Sequence, residues 1–421
     1  MRLNLKKVSQ TVSSLLLTTA VSMSAVAESD IAQNKKWAAS FAFSPQGAQI
    51  LRPPFVAEPL LNQTVRSIVH LSLGGEKIRV RISNAFGDKP LTISAASVGV
   101  RDTHSTIVAG TIKTLTFGGE SSIIIPMGAD IFTDPVNLNV ANDSDLAINL
   151  FVTDGPVLPT IDDVSNKTSY ISVSGDTTNS ELMPAHTEVD VSYFTSGVDV
   201  LANRETRTIV IVGASTTDGF GSDLDASNNY PSNLARRLLA TPAFKKSSVV
   251  NAAISGNRLL AGASFFGPSM MARMEKDILA QSGVTHIILS NGNNDIGLPE
   301  IADRLPGDDT FDHVTAAQLI AGLKQMIVKA HSRNIKIIGG TFLPYKGSSF
   351  YSELGDEKRQ LVNQWIRTSG AFDGYVDFDL VLQDPADPLS IRADLQIGDN
   401  SHPNAAGYQV MADAIDLDLL K

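Results

Sequence analysis

Thr208-Ile209-Val210-Ile211-Val212-Gly213-Ala214-Ser215-Thr216-Thr217-Asp218-Gly219 joins five β-branched residues to a serine set between glycines. Such a run, with almost no polar alternation, suits a strand buried on both faces, as in a parallel sheet. Ser215 then falls at the carboxyl end of the strand, where α/β sheets carry their reactive groups.

Outward from this strand towards the C-terminus, apolar runs at 248–251, 286–290 and 336–339 alternate with helical stripes. Leu234, Leu238 and Leu239 make one stripe, and Met270, Met271, Met274 and Ile278 a second. A third runs through Leu319, Leu323, Met326, Ile327 and Ala330, with Thr315 and Gln318 spaced as a capping box. Strand, helix, strand, helix predicts a parallel sheet covered on both sides. The methionines read as core, not as a cofactor device.

Towards the N-terminus the texture is different. Lys77-Ile78-Arg79-Val80-Arg81-Ile82 alternates with period two, and similar runs lie at 91–100, 121–125, 147–152 and 169–173. Glycine and proline turns punctuate them, and Gly74-Gly75 reads as a hairpin turn. This predicts an antiparallel β-sandwich, in which Arg79 and Arg81 form a solvated strand face. The change of texture places the domain junction in 194–207. The expected division is a signal peptide at 1–27, a β-sandwich at 28–203 and an α/β domain at 204–421.

At 421 residues the chain suits two cores. With 34 basic against 44 acidic residues and a formal charge of -10, it has no basic stripe for nucleic acid. Arg2, Lys6 and Lys7, a short apolar stretch and Ala25-Val26-Ala27 resemble a secretory signal. The stretch falls short of the ~20 apolar residues needed to span a bilayer. Export to the periplasm or medium without a stable membrane anchor is therefore expected. Cysteine is absent, which excludes disulfides and thiolate metal sites.

A strand ending in Gly-Ala-Ser also opens the nucleotide-binding turn of some dehydrogenases. Here Gly219 and Gly221 lie too far along for that fingerprint, and no acid closes the second strand at Asn251. The Gly-x-Ser-x-Gly elbow is absent as well. Three later segments supply what a serine nucleophile needs: Ser255-Gly256-Asn257, Asn293-Asn294-Asp295 and Asp399-Asn400-Ser401-His402-Pro403. A carboxylate three residues before an imidazole can orient it as a base.

From about residue 207 to its end the sequence resembles the SGNH, or GDSL-type, hydrolase superfamily, whose four blocks match Ser215, Gly256, Asn294 and His402 in order. The resemblance implies a three-layer α/β/α, flavodoxin-like domain that acts without metal or cofactor. It implies Ser215 as nucleophile, His402 as base and Asp399 as its orienting acid. The N–H groups of Ser215 and Gly256 and the Asn294 amide would form the oxyanion hole. The aspartate common before the family's serine is Ala214 here. Secreted relatives with a β-sandwich domain point first to carbohydrate O-acyl, especially acetyl, or other short-chain esters. A lysophospholipase or thioesterase is the alternative, and the segments 259–266 and 298–314 are candidates to line its acyl channel. A glycan-binding protein with an inactive hydrolase-like domain would lack a triad member, and none is missing. His286, Trp365 and Ile366 read as core, and Asn293, Asp295, Asn257 and Arg258 as supporting turn residues. Oligomeric state is not legible.

Overall fold

The computed structural model describes residues 34–48, 59–153, 155–264, 266–305 and 309–421, so the expected signal peptide lies outside the described part. The N-terminal region forms two facing antiparallel sheets and a small third one of Ser192–Tyr193, Thr160–Asp162 and Gln46–Gly47. One holds Lys35–Ala42, Thr195–Asn203 and Gly75–Ser83, with Asp130–Phe132 and Val136–Val140 both pairing on the last. The other runs from His186–Val189 through Ser169–Ser172, Gln63–Leu71 and Ser144–Val152 to Leu91–Val100. Their inward residues, among them Val65, Ile78, Val80, Ile82, Val98, Ile148 and Val200, make one core.

The C-terminal region is a five-stranded parallel sheet. In chain order its strands are β1 (Arg207–Gly213), β2 (Ser247–Asn251), β3 (Val284–Ser290), β4 (Lys336–Gly340) and β5 (Gly374–Val376). They lie side by side as β2-β1-β3-β4-β5. The two faces of β1 explain the layers. Val210 and Val212 pack with Met270, Leu319, Leu323 and Val362 on one side, whereas Ile209 and Ile211 meet Leu234, Leu238 and Tyr408 on the other. The covering helices are α1 (Tyr230–Ala240), α2 (Ala316–His331), α3 (Glu353–Thr368) and α4 (Ala405–Ala414). Thr315 and Gln318 cap α2 reciprocally, as their spacing predicts. The methionine stripe is core, but its helix is one α turn, Met270–Arg273, continued by the wider π-helix Met274–Leu279.

Chain connection reverses direction across the sheet at β1, because β2 lies on one side of it and β3 on the other. Such a switch point opens a crevice at the carboxyl ends of the strands. The loops carrying Ser215, Gly256 and Asn294 leave from these three ends.

Three sequence expectations need correction. Gly74-Gly75 does not turn a hairpin: the strands before and after it belong to different sheets, and the Gly74 N–H is held by Asn142 Oδ1. The junction does not occupy all of 194–207, since Thr195–Asn203 is a sandwich strand and only 204–206 separate it from β1. Arg79 and Arg81 do not face solvent. They reach the α/β domain, with Arg79 Nη2 3.2 Å from Ser282 Oγ and Arg81 Nη2 3.3 Å from Gln281 Oε1. Asp199 pairs with Arg79 at 2.8 Å, so the charged face becomes a domain interface. Ala39 and Ala42 of the first strand share a core with Val210 and Val250, which extends that interface into apolar packing.

Candidate active site

Ser215 opens a single helical turn, Ser215–Asp218, that ends at Gly219 in the left-handed conformation. The turn is clamped from β2, where Asn251 Nδ2 donates to Thr217 O at 2.8 Å. On the other side of the crevice, Asp399–His402 forms a tight loop before α4. Asp399 Oδ1 accepts from the backbone N–H of Ser401 and His402, both at 2.9 Å. Its Oδ2 is 2.5 Å from His402 Nδ1, and His402 Nε2 is 2.7 Å from Ser215 Oγ. The three groups therefore form one continuous chain with the imidazole in the middle.

The electrostatics suit that order. Burial pulls the Asp399 carboxyl upward, but its hydrogen bond and charge contact with His402 and the two backbone N–H groups outweigh it. The carboxyl is held well below its usual range. With Asp399 ionised, the proton on the imidazole sits at Nδ1 and leaves Nε2 free to accept from Ser215. Phe220 packs on the ring with centroids 4.8 Å apart, and Tyr408 fixes Phe220 by donating to its carbonyl at 2.6 Å.

Gly256 has φ 76°, and a Cβ there would come 1.9 Å from the Phe266 ring. Glycine is required on both counts, and it lets Phe266 cover the turn directly. Gly292, at φ 143°, precedes the short helix Asn293–Gly297 and abuts Phe342 in the same way. Asn294 donates from Nδ2 to Asn257 O at 3.1 Å, which ties the two loops together and leaves the second amide hydrogen for another acceptor. Asp295 ties them again, accepting from Leu259 N and Leu260 N at 2.7 and 2.9 Å. Burial pushes its carboxyl up to about 6 despite those donors.

All five sequence-nominated groups, Ser215, Gly256, Asn294, Asp399 and His402, line one cavity of about 320 Å³. Residues 211–410 match the model of the GDSL-like lipase/acylhydrolase family. The C-terminal domain belongs to this family. The GDSL-like domain is that of a carboxylic ester hydrolase. No curated protein matches the chain at a significant level. Among solved structures, a GDSL-like lipase from Bacteroides thetaiotaomicron is 16% identical over 51% of this chain and 88% of its own, with a TM-score of 0.36. An acetylxylan esterase from Geobacillus stearothermophilus is 23% identical over 51% of this chain and 94% of its own, TM-score 0.36. An α/β hydrolase from the metagenome of Lake Arreo is 21% identical over 51% and 94%, TM-score 0.37.

The sequence reading nominated the segments beside the site but not their wall residues. Phe266, Leu298, Ile301 and Leu305 cluster as an apolar wall of the cavity, and Leu343 and Phe350 line it as well. The sequence signal was only a scatter of large apolar residues in 259–266 and 298–314, without a period to orient them. His286 is buried in β3 with Nδ1 2.8 Å from Thr285 Oγ1, as a core histidine, and burial takes it down to about 4. Ile366 is buried, and Trp365 packs edge-on against Phe372.

If the free hydrogen of Asn294 meets a developing oxyanion, Asn294→Ala lowers kcat by about 10² to 10³ with little change in KM. Asn294→Asp is at least as harmful, because a carboxylate opposes negative charge. Kinetics and melting measured on the same preparations decide the role. A loss of melting temperature with kcat unchanged would reduce Asn294 to a loop tie.

Proposed function

We propose that the protein is an exported serine ester hydrolase in which Ser215 is acylated and then released by water. The observation that carries this reading is the chain Ser215 Oγ, His402 Nε2, His402 Nδ1, Asp399 Oδ2, with links of 2.7 and 2.5 Å across the ring. His402 takes the Ser215 proton as Oγ attacks the ester carbon, then gives it to the departing alkoxide. The N–H groups of Ser215 and Gly256 and the free Asn294 hydrogen receive the charge on the carbonyl oxygen. A water activated by the same imidazole cleaves the acyl-enzyme. Export rests on the basic, apolar, Ala-x-Ala order of the first 27 residues.

The substrate in this reading is a short-chain O-acyl ester, acetyl included, of a hydroxyl-rich alcohol such as a carbohydrate. The partly exposed Asn293 and Ser401 and exposed Ser349 on the lining suit a polar leaving group. The apolar wall of Phe266, Leu298, Ile301 and Leu305 favours a second reading, a lipid or thioester acylhydrolase.

Aryl esters from acetyl to decanoyl, assayed beside acetylated xylan, separate the two. Each methylene that fits an apolar wall contributes about 0.8 kcal/mol, roughly fourfold in kcat/KM. The first reading expects a maximum at butyryl or shorter and release of acetate from the polysaccharide. A maximum at octanoyl or beyond, with no acetate released, would replace it with the second.

A further inference from the structure

The turn that carries Ser215 is too short to hold itself. Ser215–Asp218 is closed by the N–H groups of Gly219 and Phe220, which donate to Ser215 O at 3.0 and 2.9 Å. A lone turn fixes many torsions for few hydrogen bonds, and its last carbonyls need donors from outside. Asn251 supplies one to Thr217 O. For Asp218 O the nearer donor comes from the other domain.

That donor is Asn166, in the loop 163–168 between the sandwich strands Thr160–Asp162 and Ser169–Ser172. Its Nδ2 lies 3.0 Å from Asp218 O, against 3.4 Å for Asn251 Nδ2. The same amide donates to Val164 O at 3.1 Å, which braces the side chain on its own loop. The Asn166 backbone has φ 51°, a left-handed conformation that asparagine tolerates better than most residues. Gly219 faces it at φ 103°, and a Cβ there would stand 2.9 Å from Asn166 Nδ2 and 2.8 Å from Asn229 Cβ. Residue types on both sides of the seam are thus matched to this contact.

The grip continues past the turn. Asn166 O accepts from the Asp225 N–H at 3.0 Å. Thr168 donates its N–H and its hydroxyl to the two Asp225 carboxylate oxygens at 3.1 and 2.7 Å, and Lys167 Nζ donates to Asp225 O at 3.1 Å. Asn166 therefore holds both Asp218 and Asp225, with its side chain on one and its backbone on the other. Phe220, whose ring packs on His402, lies between these two anchors. The nucleophile and the ring that steadies its base belong to one segment, and the sandwich fixes that segment at two points.

We propose that Asn166 of the β-sandwich is a positioning residue for Ser215, which makes the N-terminal domain a working part of the active site. Asn166 lies outside the lining of the catalytic cavity, so it acts through the Asp218 carbonyl and the Phe220 segment. Its loss should spare substrate binding and slow the attack. This inference rests on the reading of Ser215 as nucleophile.

The test compares full-length parent and variants for kcat and KM on a short-chain aryl ester, for the rate of fluorophosphonate labelling at Ser215, and for melting. Asn166→Gly is the informative change, because glycine takes the left-handed backbone without strain and only the amide is removed. A 1 Å misplacement costs about 10² in rate, so a smaller shift should lower kcat and the labelling rate by about tenfold and leave KM within about twofold. Asn166→Asp keeps the shape but turns a donor into a charged acceptor facing two carbonyls, so it should be at least as slow. Thr168→Val removes one donor to Asp225 and leaves Asn166 whole. It should lower both rates by about threefold, and it decides the matter alone if the Asn166 variants do not fold. A lower melting temperature with kcat and labelling per folded molecule unchanged would overturn the proposal, as would a loss confined to KM. If the parent is labelled at Ser215 and the variants are labelled as fast, the clamp falls and the nucleophile stands. Ester turnover by a parent that is not labelled at Ser215 would remove both.

Discussion

Ser215→Ala is expected to lower kcat on an activated aryl ester by about 10⁶, to a residue that only binding and the oxyanion donors sustain. The substitution deletes one oxygen at the mouth of the crevice. Nothing in the packing of Val210, Val212 or the helices depends on that oxygen, so the melting temperature should stay within a degree or two of the parent. Its hydrogen bond to His402 Nε2 is lost, but the imidazole remains anchored by Asp399 and by the Phe220 ring. A variant that keeps more than a hundredth of parental kcat would remove Ser215 from the role of nucleophile. One that unfolds would move it from chemistry to structure.

The second large effect belongs to the base and its acid. His402→Ala should cost about as much as the loss of Ser215, because the two act as a unit. Asp399→Asn should cost about 10⁴: the loop hydrogen bonds to Ser401 N and His402 N can be kept by the amide oxygen, but the Nδ1 proton loses its charged acceptor. The pH profile adds an independent check. Asp399 is held well below the carboxylate range, so it stays ionised at neutral and mildly acidic pH. The acid limb of the activity profile should therefore carry no proton taken up by Asp399. The same depressed carboxyl stabilises the fold above the ordinary aspartate range near 3.9, and that stability is lost as pH falls through its lower folded value. An Asp399 carboxyl that takes up its proton at mildly acidic pH, read by spectroscopy of the folded protein, would contradict the assigned geometry.

Much of this was legible in the chain because the strongest patterns are local. The unbroken run of Ile209 to Val212 announces a strand buried on both faces, and Thr315 with Gln318 announces the start of α2. The four blocks around Ser215, Gly256, Asn294 and His402 sit at strand ends and one loop, where the crevice of a parallel sheet must lie. What stayed hidden depends on contacts between distant segments. Period two in Lys77 to Ile82 shows that Arg79 and Arg81 share a face, but it carries no information on whether water or Ser282 and Gln281 lie opposite. Gly74-Gly75 has turn chemistry whether the chain folds back within a sheet or crosses to another. The contact of Phe266 with Gly256 and the hydrogen bond from Asn166 to Asp218 leave no local periodicity at all, because each is made by loops from different elements.

Trapping the acyl-enzyme tests the central claim most directly. The protein is mixed with an activated short-chain aryl ester, quenched in acid within the first turnover and digested, and the acylated peptide is sequenced by mass spectrometry. A fluorophosphonate is run in parallel as a stable stand-in for the tetrahedral adduct. One modification per chain is expected, on Ser215, absent in Ser215→Ala and slowed severely in His402→Ala. Modification of a different residue, or turnover of the ester with no covalent species on Ser215, would contradict it.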